Sequence, residues 1–484
     1  MNTRISVIGT GYLGATHAAC LADLGFEVLG VDSDHRKVAL LAAGSPPFSE
    51  PGLDDLLSRH VGSGRLRFGT DLQEAAEFAD VHFVCVGTPQ RRSGLEADVS
   101  AVFTVARELA RHSNHDCLIV GKSTVPVGTA QALSTMLAAM TPPGVTASVA
   151  WNPEFLREGH GVRDTLSPDR LVFGVSNLEA ELTLRRVYER AILDGTPVHV
   201  TDLATAELAK GAANAFLATK VSFINAMAEV SDRSGADVVS LADILGDDPR
   251  IGRRFLDAGI GFGGGCLPKD IRAFSARATE LGAGSVAALL HEVDLINLRT
   301  RGRTVDLANE LCGGSARGRR IAVLGAAFKP MSDDVRDSPA LDVAGRLHLQ
   351  GAHVRVYDPE ASNNARAVCP ALTYVASAEA ALTGADLVLH LTDWPEFLTL
   401  DPDEVGDLVS TRRLIDGRNR LDHNLWTTAG WLLRGIGRGA AQPAAAHLLR
   451  RSAASSDRDE TPVVAAAAPL GRSMDRTYHL LERT

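Results

Sequence analysis

The opening segment of the chain constrains its fold more than any other part. The mostly apolar run Arg4–Ile8 predicts a strand that enters the glycine turn Gly9-Thr10-Gly11-Tyr12-Leu13-Gly14, and an Ala-rich helical stretch follows. In a strand–turn–helix unit, Gly9 allows the turn, Gly11 lets the backbone approach a pyrophosphate, and Gly14 lets the helix pack on the strand. The sequence therefore predicts a Rossmann-like unit that binds a dinucleotide.

An acidic residue at the end of the second predicted strand indicates which dinucleotide. Asp32 follows the run Glu27–Val31 and lies 18 residues beyond Gly14. A carboxylate there accepts hydrogen bonds from the diol of an adenine ribose and repels a 2′-phosphate. The spacing favours NAD, although the nearby Arg36 and Lys37 leave NADP open as an alternative.

The same plan returns in the second half of the chain. Arg320–Leu324 predicts a strand that enters a turn at Gly325, and His353–Tyr357 predicts a strand that ends at Asp358. The later glycines of the turn are missing, because Ala326, Ala327 and Phe328 follow Gly325. We therefore expect the first half to bind the dinucleotide and the second half to bind something else. Further strands are predicted at Val81–Val86, Leu118–Gly121, Leu171–Gly174 and Leu387–Leu389.

Two helical stretches without strand-like interruptions separate these halves, from Asp202 to about Val230 and over roughly residues 271–300. A helix of the first length extends about 40 Å, longer than a small domain needs, and favours a bridge between domains or subunits. The predicted fold is an α/β protein with two Rossmann-like doubly wound domains (1–200 and 315–438) joined by a central helical, dimerising domain (201–300). The Ala-, Pro-, Ser- and Arg-rich tail (439–484) is expected to be disordered or weakly helical.

Composition excludes several classes of function. Lys and Arg number 49 against 59 Asp and Glu, and the resulting net charge of -10 argues against a nucleic-acid partner. No apolar run is long enough to span a membrane and no leader is readable, so we expect a soluble cytoplasmic protein without membrane insertion. The six cysteines show neither paired nor zinc-type spacing, so we expect no disulfides and no metal.

One cysteine lies in an unusual setting. The cysteine loop, which we define as residues 259–270, contains five glycines around Cys266 and precedes a helix predicted to begin near Asp270. Glycines let a backbone approach a ligand, and a thiol beside Lys269 and a helix N-terminus is expected to have a lowered pKa. The alternative is a structural loop with a small apolar cysteine.

Two further segments carry candidate polar groups. Lys210 and Asn214, spaced i, i+4, project from one face of a mostly apolar helix. A lysine that reaches from a helix surface to solvent is the alternative. The segment Trp151–Gly159 contains Glu154 and Glu158 after a strand-like run, and a solvated loop is its alternative interpretation.

Together these motifs resemble the UDP-glucose/GDP-mannose dehydrogenase family over roughly residues 1–435. The resemblance rests on eight separated segments in a shared order: Gly9–Gly14, Val86-Gly87-Thr88-Pro89, Lys122–Thr129, Asn152–Gly159, Lys210 with Asn214, Gly263–Asp270, Phe328-Lys329-Pro330 and Asp416-Gly417-Arg418-Asn419.

The resemblance implies an NAD-dependent four-electron oxidation of a nucleotide sugar through a thiohemiacetal and a thioester. UDP-glucose, giving UDP-glucuronate, is the expected substrate, and GDP-mannose or a UDP-N-acetylhexosamine is the alternative within the family. Outside the family, a one-step NAD-dependent hydroxyacid dehydrogenase and a catalytically silent nucleotide-binding protein remain open. The implied catalytic residues are the nucleophile Cys266, the oxyanion holders Lys210 and Asn214, the water-positioning pair Asp270 and Thr124, and the base Glu154.

The resemblance also implies binding residues and a homodimer or higher homo-oligomer. Those for NAD are Gly9, Gly11, Tyr12, Leu13, Gly14, Asp32, Lys37, Thr88, Thr124, Glu158, Lys269 and Arg336. Those for the UDP-sugar are Glu154, Phe155, Leu156, Arg157, Glu158, Lys210, Asn214, Phe255, Leu256, Asp257, Ala258, Gly259, Gly263, Lys329 and Arg418, with Arg250 expected to reach a neighbouring subunit. Two departures from the family pattern are Gly265, where serine is frequent, and Asp257, where a neutral or basic residue is common.

Overall fold

A computed structural model describes residues 3–92 and 94–439. The tail was predicted at 439–484, and all of it except residue 439 lies outside the described residues. The first domain contains an eight-stranded sheet. Its strands are β1 (Arg4–Ile8), β2 (Glu27–Val31), β3 (Leu66–Gly69), β4 (Val81–Val84), β5 (Cys117–Gly121), β6 (Ala147–Trp151), β7 (Leu171–Val175) and β8 (Val198–Thr201). Its helices are α1 (Tyr12–Asp23), α2 (His35–Ala42), α3 (Leu53–Gly62), α4 (Leu72–Phe78), α5 (Ser100–His112), α6 (Thr129–Met140), α7 (Gly161–Leu166), α8 (Leu178–Val187) and α9 (Glu189–Leu193).

The order of the first sheet is β3-β2-β1-β4-β5-β6-β7-β8. Strands such as β4 and β5 are buried throughout, because helices cover both faces of the sheet, and their sequences are correspondingly apolar. The alternation of strands and helices in a doubly wound domain favours parallel strands, and all neighbouring pairs in this sheet are parallel except β6 and β7, which run antiparallel. The chain reaches β7 through the short helix α7 and returns beside β6 without a full crossover, which reverses the direction of β7.

The central part of the chain is helical: α10 (Leu203–Ser234), α11 (Val238–Gly246), α12 (Leu267–Glu280) and α13 (Gly284–Leu311). Asp202 caps α10 by accepting a hydrogen bond from the N–H of Thr205 at 2.8 Å. The helical stretch predicted at 271–300 is two helices, because Gly282, with φ +76°, forms a turn between α12 and α13. α13 also continues past residue 300, to Leu311.

The second sheet has six strands in the order β11-β10-β9-β12-β13-β14, and every neighbouring pair is parallel. Its strands are β9 (Arg320–Leu324), β10 (His353–Tyr357), β11 (Thr373–Tyr374), β12 (Leu387–His390), β13 (Arg413–Asp416) and β14 (Leu432–Gly435). Its helices are α14 (Pro339–Leu349), α15 (Ser362–Val368), α16 (Ala378–Leu382), α17 (Pro395–Leu398), α18 (Pro402–Leu408) and α19 (His423–Thr428).

Both sheets contain the strand order of a dinucleotide-binding fold, with a switch of direction beside the first strand of each. The predicted fold class, two Rossmann-like domains and a helical region between them, is confirmed. Ligands of such sheets bind at the carboxyl ends of the strands, so the loops after β1, β4, β5 and β9 are where a site is expected. Within the described ranges, no helix combines the length and the apolar character that crossing a membrane requires.

Candidate active site

The glycine turn after β1 has the geometry that a dinucleotide needs. Gly9 has φ +91°, and its N–H donates to the carbonyl of Val31 at 2.7 Å. A Cβ on Gly14 would lie 1.8 Å from the carbonyl oxygen of Gly9, so only glycine lets α1 pack this closely. A Cβ on Gly11 would instead project into open space, where it would obstruct a pyrophosphate that approaches the backbone.

Asp32 is fixed at the end of β2 in an ionised form. Its carboxylate accepts hydrogen bonds from the N–H of Thr10 at 2.8 Å, the N–H of Asp34 at 3.0 Å and the ammonium of Lys37 at 2.9 Å. Burial opposes ionisation, but these hydrogen bonds outweigh it and hold the pKa of Asp32 below its ordinary value. A carboxylate of this kind fits a ribose diol better than a 2′-phosphate.

Four predicted residues meet at the carboxyl edge of the first sheet. The hydroxyl of Thr88 donates to the carbonyl of Thr124 at 2.8 Å. The ammonium of Lys269 lies 3.3 Å from that hydroxyl and 2.6 Å from the carboxylate of Asp270. The loops after β4 and β5 are thereby connected to the start of α12.

Cys266 is the N-cap residue of α12, which begins at Leu267 rather than near Asp270 as predicted. Pro268 in the first turn explains the earlier start, because proline is favoured there. Cys266 is an exposed residue, whereas the other cysteines are buried or half-buried. All six cysteines are free thiols.

Two charged or polar pairs from α10 lie around this thiol. The ammonium of Lys210 is 2.8 Å from the carboxylate of Glu154, and the side-chain amide of Asn214 donates to Asp270 at 2.7 Å. Lys210, Asn214 and Asp270 are buried. The structure therefore brings together Glu154, Lys210, Asn214 and Asp270 from three separate segments of the chain.

The pKa of the Cys266 thiol is raised to about 12, and the expectation of a lowered value is wrong. The residue has surface that reaches solvent, but its thiol is surrounded by protein, and this burial is the main cause. The carboxylates of Glu154 and Asp270 raise the pKa further and outweigh the opposing effect of Lys210. The thiolate is thus disfavoured by burial and by two acids, of which Asp270 lies in the same loop and Glu154 in a distant segment.

Lys210 keeps its charge despite its burial. Burial disfavours an ammonium, but Glu154, Cys266 and Asp270 together raise the pKa of Lys210 above its ordinary value. The same ammonium lies 5.6 Å from the ring centre of Phe155. The alternative of a lysine that extends to solvent is therefore excluded.

Residues that the sequence interpretation missed hold the cysteine loop. The side-chain oxygen of Asn297 accepts the N–H of Phe262 at 2.8 Å, and its amide donates to the carbonyl of Phe262 at 3.0 Å. Arg301 donates to the same carbonyl at 3.0 Å. Arg418, predicted to contact substrate, donates to Gly261 at 3.1 Å. The only sign of Asn297 and Arg301 in the sequence was that they are polar residues at positions of α13 that face the core.

A cleft of about 490 Å³ lies between the cysteine loop and the second sheet. It contains seven of the residues predicted for the UDP-sugar: Phe255, Asp257, Ala258, Gly259, Gly263, Lys329 and Arg418. It also contains residues that the prediction missed, among them Arg254, Phe328, Asp393 and Arg420, which neighbour predicted residues in the sequence or in space. Leu256 is buried in the hydrophobic core instead.

Both departures from the family pattern have structural explanations. Asp257 forms an ion pair with Arg253 at 2.9 Å, so its charge is balanced at the edge of the cleft. A Cβ on Gly265 would lie 2.1 Å from the guanidinium carbon of Arg336, so that side chain occupies the space of a serine.

Three predicted residues lie at the junction of the two Rossmann-like domains. The hydroxyl of Tyr12 donates to Asp333 at 2.5 Å, and Arg336 donates to Glu158 at 3.2 Å. Burial and the carboxylate of Asp334 raise the pKa of Glu158 to about 7. The loops of the two domains therefore contact each other directly beside the glycine turn.

The remaining predicted residues have other surroundings. Leu13 packs on the core of the first domain, and Leu156 donates its N–H to Glu154 at 2.7 Å. Arg157 pairs with Asp164, and Arg250 is exposed and pairs with Asp248, both at 2.5 Å. The role of Arg250 toward a neighbouring subunit stays a prediction. Over the part of the chain that the structure describes, no cluster of three His, Cys, Asp or Glu residues could hold a metal ion.

Three sequence profiles match the chain in succession. They describe the NAD binding domain (residues 3–192), the central domain (204–299) and the UDP binding domain (322–423) of the UDP-glucose/GDP-mannose dehydrogenase family. The chain belongs to this family. The resemblance inferred from the motifs is confirmed, and so is NAD as the cofactor, since residues 3–192 match the NAD binding domain of the family.

Curated members of the UDP-glucose/GDP-mannose dehydrogenase family match most of the chain. The UDP-glucose 6-dehydrogenase TuaD of Bacillus subtilis (strain 168) is 41% identical over 440 residues, covering 91% of this chain and 94% of that protein. The UDP-glucose 6-dehydrogenase of Rhizobium meliloti (strain 1021) is also 41% identical, covering 90% and 99%.

Solved structures of the family share the architecture. A UDP-glucose dehydrogenase from the archaeon Pyrobaculum islandicum superposes with a TM-score of 0.81 at 39% identity, covering 87% of this chain and 95% of that one. A UDP-D-ManNAc dehydrogenase from Pyrococcus horikoshii gives a TM-score of 0.79 at 27% identity, covering 90% and 100%. The fold is thus common to family members named for different sugars.

Proposed function

We propose that this family member oxidises UDP-glucose to UDP-glucuronate, with reduction of two NAD and consumption of one water. The observation that carries the proposal is the free thiol of Cys266 at the start of α12, surrounded by the Lys210–Glu154 and Asn214–Asp270 pairs. A one-step hydroxyacid dehydrogenase needs no such thiol. The relatives named UDP-glucose 6-dehydrogenase support the choice of sugar.

The first oxidation converts a primary alcohol to an aldehyde: the carbon gives up a hydride and the hydroxyl gives up a proton, for which the carboxylate of Glu154 beside Lys210 suits the acceptor. NAD supplies the hydride acceptor for this oxidation and for the second one. As charge develops on the alcohol oxygen, Lys210 and Asn214 stabilise it, and a buried ammonium does so more strongly than one in water. The glycine turn and Asp32 hold the dinucleotide on the first domain.

Cys266 then retains the intermediate as a covalent adduct. Its sulfur adds to the aldehyde carbon, the thiol proton ends on the carbonyl oxygen, and a thiohemiacetal forms. Loss of a hydride and of the hydroxyl proton from this adduct gives a thioester. Glu154 and Asp270 are the carboxylates beside the sulfur that suit these proton transfers.

Hydrolysis releases the product. Water adds to the thioester carbon, the carbon–sulfur bond breaks, and the thiol of Cys266 regains a proton. Asp270 and Thr124 suit the positioning of this water, because Lys269 and Thr88 connect them through hydrogen bonds. Glu154 suits the role of the base, since its carboxylate lies beside the buried Lys210, at 2.8 Å from the ammonium.

The cleft supports a nucleoside diphosphate sugar. Lys329, Arg254, Arg418 and Arg420 bring four cations to its lining in a protein whose net charge is -10. Phe255 and Phe328 add aromatic surfaces against which a base can stack. The domain that carries Lys329 and Arg418 matches the UDP binding domain of the family.

The test is NADH release with UDP-glucose, GDP-mannose and UDP-N-acetylmannosamine. We expect two NADH per UDP-glucose and little release with the other two. One NADH per substrate, or activity with GDP-mannose alone, would contradict the proposal. Cys266→Ala is expected to lose overall turnover while NAD binding, measured by calorimetry, is unchanged; formation of the acid by this variant would remove the covalent role.

We also propose a homodimer or higher homo-oligomer that acts in the cytoplasm. Phe216, Phe223 and Val230 recur every seven residues on α10 and are 66%, 47% and 56% exposed, which supports a subunit contact along this helix. Six free cysteines support a reducing compartment. A monomer by light scattering for the unmodified protein would contradict the first part, and extracellular fractionation of the enzyme would contradict the second.

A further inference from the structure

Glu207 is a buried carboxylate that the proposed mechanism does not use. It lies on α10, three residues before Lys210, and is only 2% exposed. Its two oxygens accept the backbone N–H of Gly128 at 2.7 Å and of Ala130 at 2.6 Å. Both donors belong to the start of α6, in the first Rossmann-like domain.

The start of α6 has no capping side chain of its own. Gly128 precedes the helix with φ +100°, and glycine offers no acceptor for the free N–H groups of a first turn. The carboxylate of Glu207 supplies the acceptor from another helix, with a charge that suits the positive end of the helix dipole. Arg277 of α12 binds the same loop by donating to the carbonyl of Val127 at 3.0 Å.

This loop also carries Thr124. The carbonyl of Thr124 accepts the hydroxyl of Thr88, which is connected through Lys269 to Asp270, and Asp270 accepts the amide of Asn214. Asn214 lies seven residues after Glu207, about 10 Å further along the same face of α10. The contacts that link Glu207 to Thr124 and Thr124 to Asn214 therefore start and end on the same rigid helix, α10.

We infer that Glu207 is a positioning residue that holds Thr124 at a fixed distance from Lys210, Asn214 and Asp270. It acts through the backbone of the loop between β5 and α6 and does not contact substrate. The inference rests on the proposed function, in which Thr124 and Asp270 position the hydrolytic water. In this inference, α10 both carries Lys210 and positions Thr124 through Glu207.

The first test is Glu207→Gln, which keeps the size of the side chain but turns an NH₂ group toward one of the two N–H donors. We expect kcat for UDP-glucose oxidation to fall roughly ten- to hundredfold, because small misplacements of a positioning group have effects of this size. The rate of Cys266 alkylation by iodoacetamide should not change, since the residues around the thiol keep their places. Glu207→Asp, which retains the charge, should recover part of the lost rate.

A double-mutant cycle with Thr124→Ala separates positioning from a general structural effect. If Glu207 acts through Thr124, the double variant should be no slower than the slower single variant. Independent effects that multiply would overturn the inference, as would an unchanged kcat in Glu207→Gln. Asp202→Asn is the matched control. It alters a carboxylate that caps the start of α10 itself and does not contact the loop between β5 and α6.

Two further outcomes are decisive. If Glu207→Gln does not fold, the cycle is measured with Glu207→Asp, and multiplying effects there overturn the inference equally. If the unmodified enzyme releases no NADH with UDP-glucose, the proposed function fails. An active enzyme with independent effects leaves the function in place and rejects only the positioning role.

Discussion

The two Rossmann-like domains place an aspartate at the same point and use it differently. Asp32 follows β2 and Asp358 follows β10, the corresponding strand of the second sheet. Asp32 is half-buried, and its carboxylate accepts hydrogen bonds from Thr10, Asp34 and Lys37. Asp358 is 2% exposed and accepts hydrogen bonds from the N–H groups of Ala326, Ala327 and Ala361 and from the indole of Trp394.

The glycine turns after β1 and β9 also differ in how much of their backbone is bonded to the aspartate. Gly325 has φ +106° and donates to Tyr357, just as Gly9 donates to Val31. The N–H of Ala326 binds Asp358 just as the N–H of Thr10 binds Asp32, but Ala327, at the position of Gly11, also donates its N–H to Asp358. The same position in the two sheets therefore does not give the two aspartates the same role. Their roles depend on how many hydrogen-bonding sites of each carboxylate the protein itself leaves free.

The largest expected effect is on Asp358. Asp358→Ala removes the acceptor of several buried donors, so we expect the free energy of unfolding to fall by about 3 kcal/mol or more, as measured by urea denaturation. Stability equal to that of the unmodified protein would show that the two aspartates are more alike than their contacts indicate.

Asp32→Ala should affect cofactor binding more than stability. The carboxylate accepts hydrogen bonds from Thr10, Asp34 and Lys37, so we expect a loss of stability of about 1 kcal/mol, smaller than in Asp358→Ala, and a rise in KM for NAD of roughly ten- to hundredfold, the size of a lost charged hydrogen bond. KM for UDP-glucose is the internal control and should be unchanged. A variant that loses stability and keeps its KM for NAD would break the comparison.

A smaller effect concerns the thiol, around which the two domains contribute opposite charges. Glu154 and Glu158 come from the first domain, and Lys329 and Arg336, which interact with Cys266, come from the second. Because the pKa of the thiol is about 12, alkylation by iodoacetamide should rise about tenfold per pH unit from about pH 7 to about pH 9. Glu154→Gln should accelerate alkylation at a given pH, and Lys329→Met should slow it.

The matched control for Glu154→Gln is Glu179→Gln, which alters an exposed carboxylate on α8. It should leave the alkylation rate unchanged. If both variants accelerate alkylation equally, the effect is one of net charge rather than of local position. A rate that does not depend on pH over this range would contradict the raised pKa.

The smallest effect is at the junction of the domains, where Glu158 faces Asp334. The pKa of Glu158 is raised from 4.5 to about 7, so the folded state favours the protonated form, and stability from this group is lost as pH rises through that interval. We expect Glu158→Gln to raise Tm by a few degrees at about pH 8 and to have no effect at about pH 4. Scanning calorimetry at both pH values measures this, and a destabilised variant at the higher pH would contradict it.

Much of the fold could be predicted because strand patterns are local. The run His353–Tyr357 is a strand with the predicted bounds, since its apolar residues alternate and an aspartate ends it. The antiparallel direction of β7 could not be predicted, because direction depends on how the connecting segment crosses the sheet. The break at Gly282 was visible in the sequence but was not recognised as a turn between two helices.

The candidate site could be predicted only as far as motifs reach. Glu154, Lys210, Asn214 and Asp270 were identified through resemblance, and the structure brings them together. The pKa of Cys266 was predicted in the wrong direction, because burial, its main cause, depends on the packing of the whole chain, and because Glu154 comes from a segment distant in the sequence. Glu207 was missed for the same reason: its donors lie 77 and 79 residues away.

Asn297 has a consequence for how the chain could move. Its side chain binds both the N–H and the carbonyl of Phe262, as a neighbouring strand would, and so ties the cysteine loop to α13. The loop is therefore anchored to the same helical scaffold that carries Lys210 and Asn214. Ile260 and Gly264 of the same loop donate their N–H groups to Gly417 and Arg336 of the second domain, so we expect the helices and the second domain to move as one body.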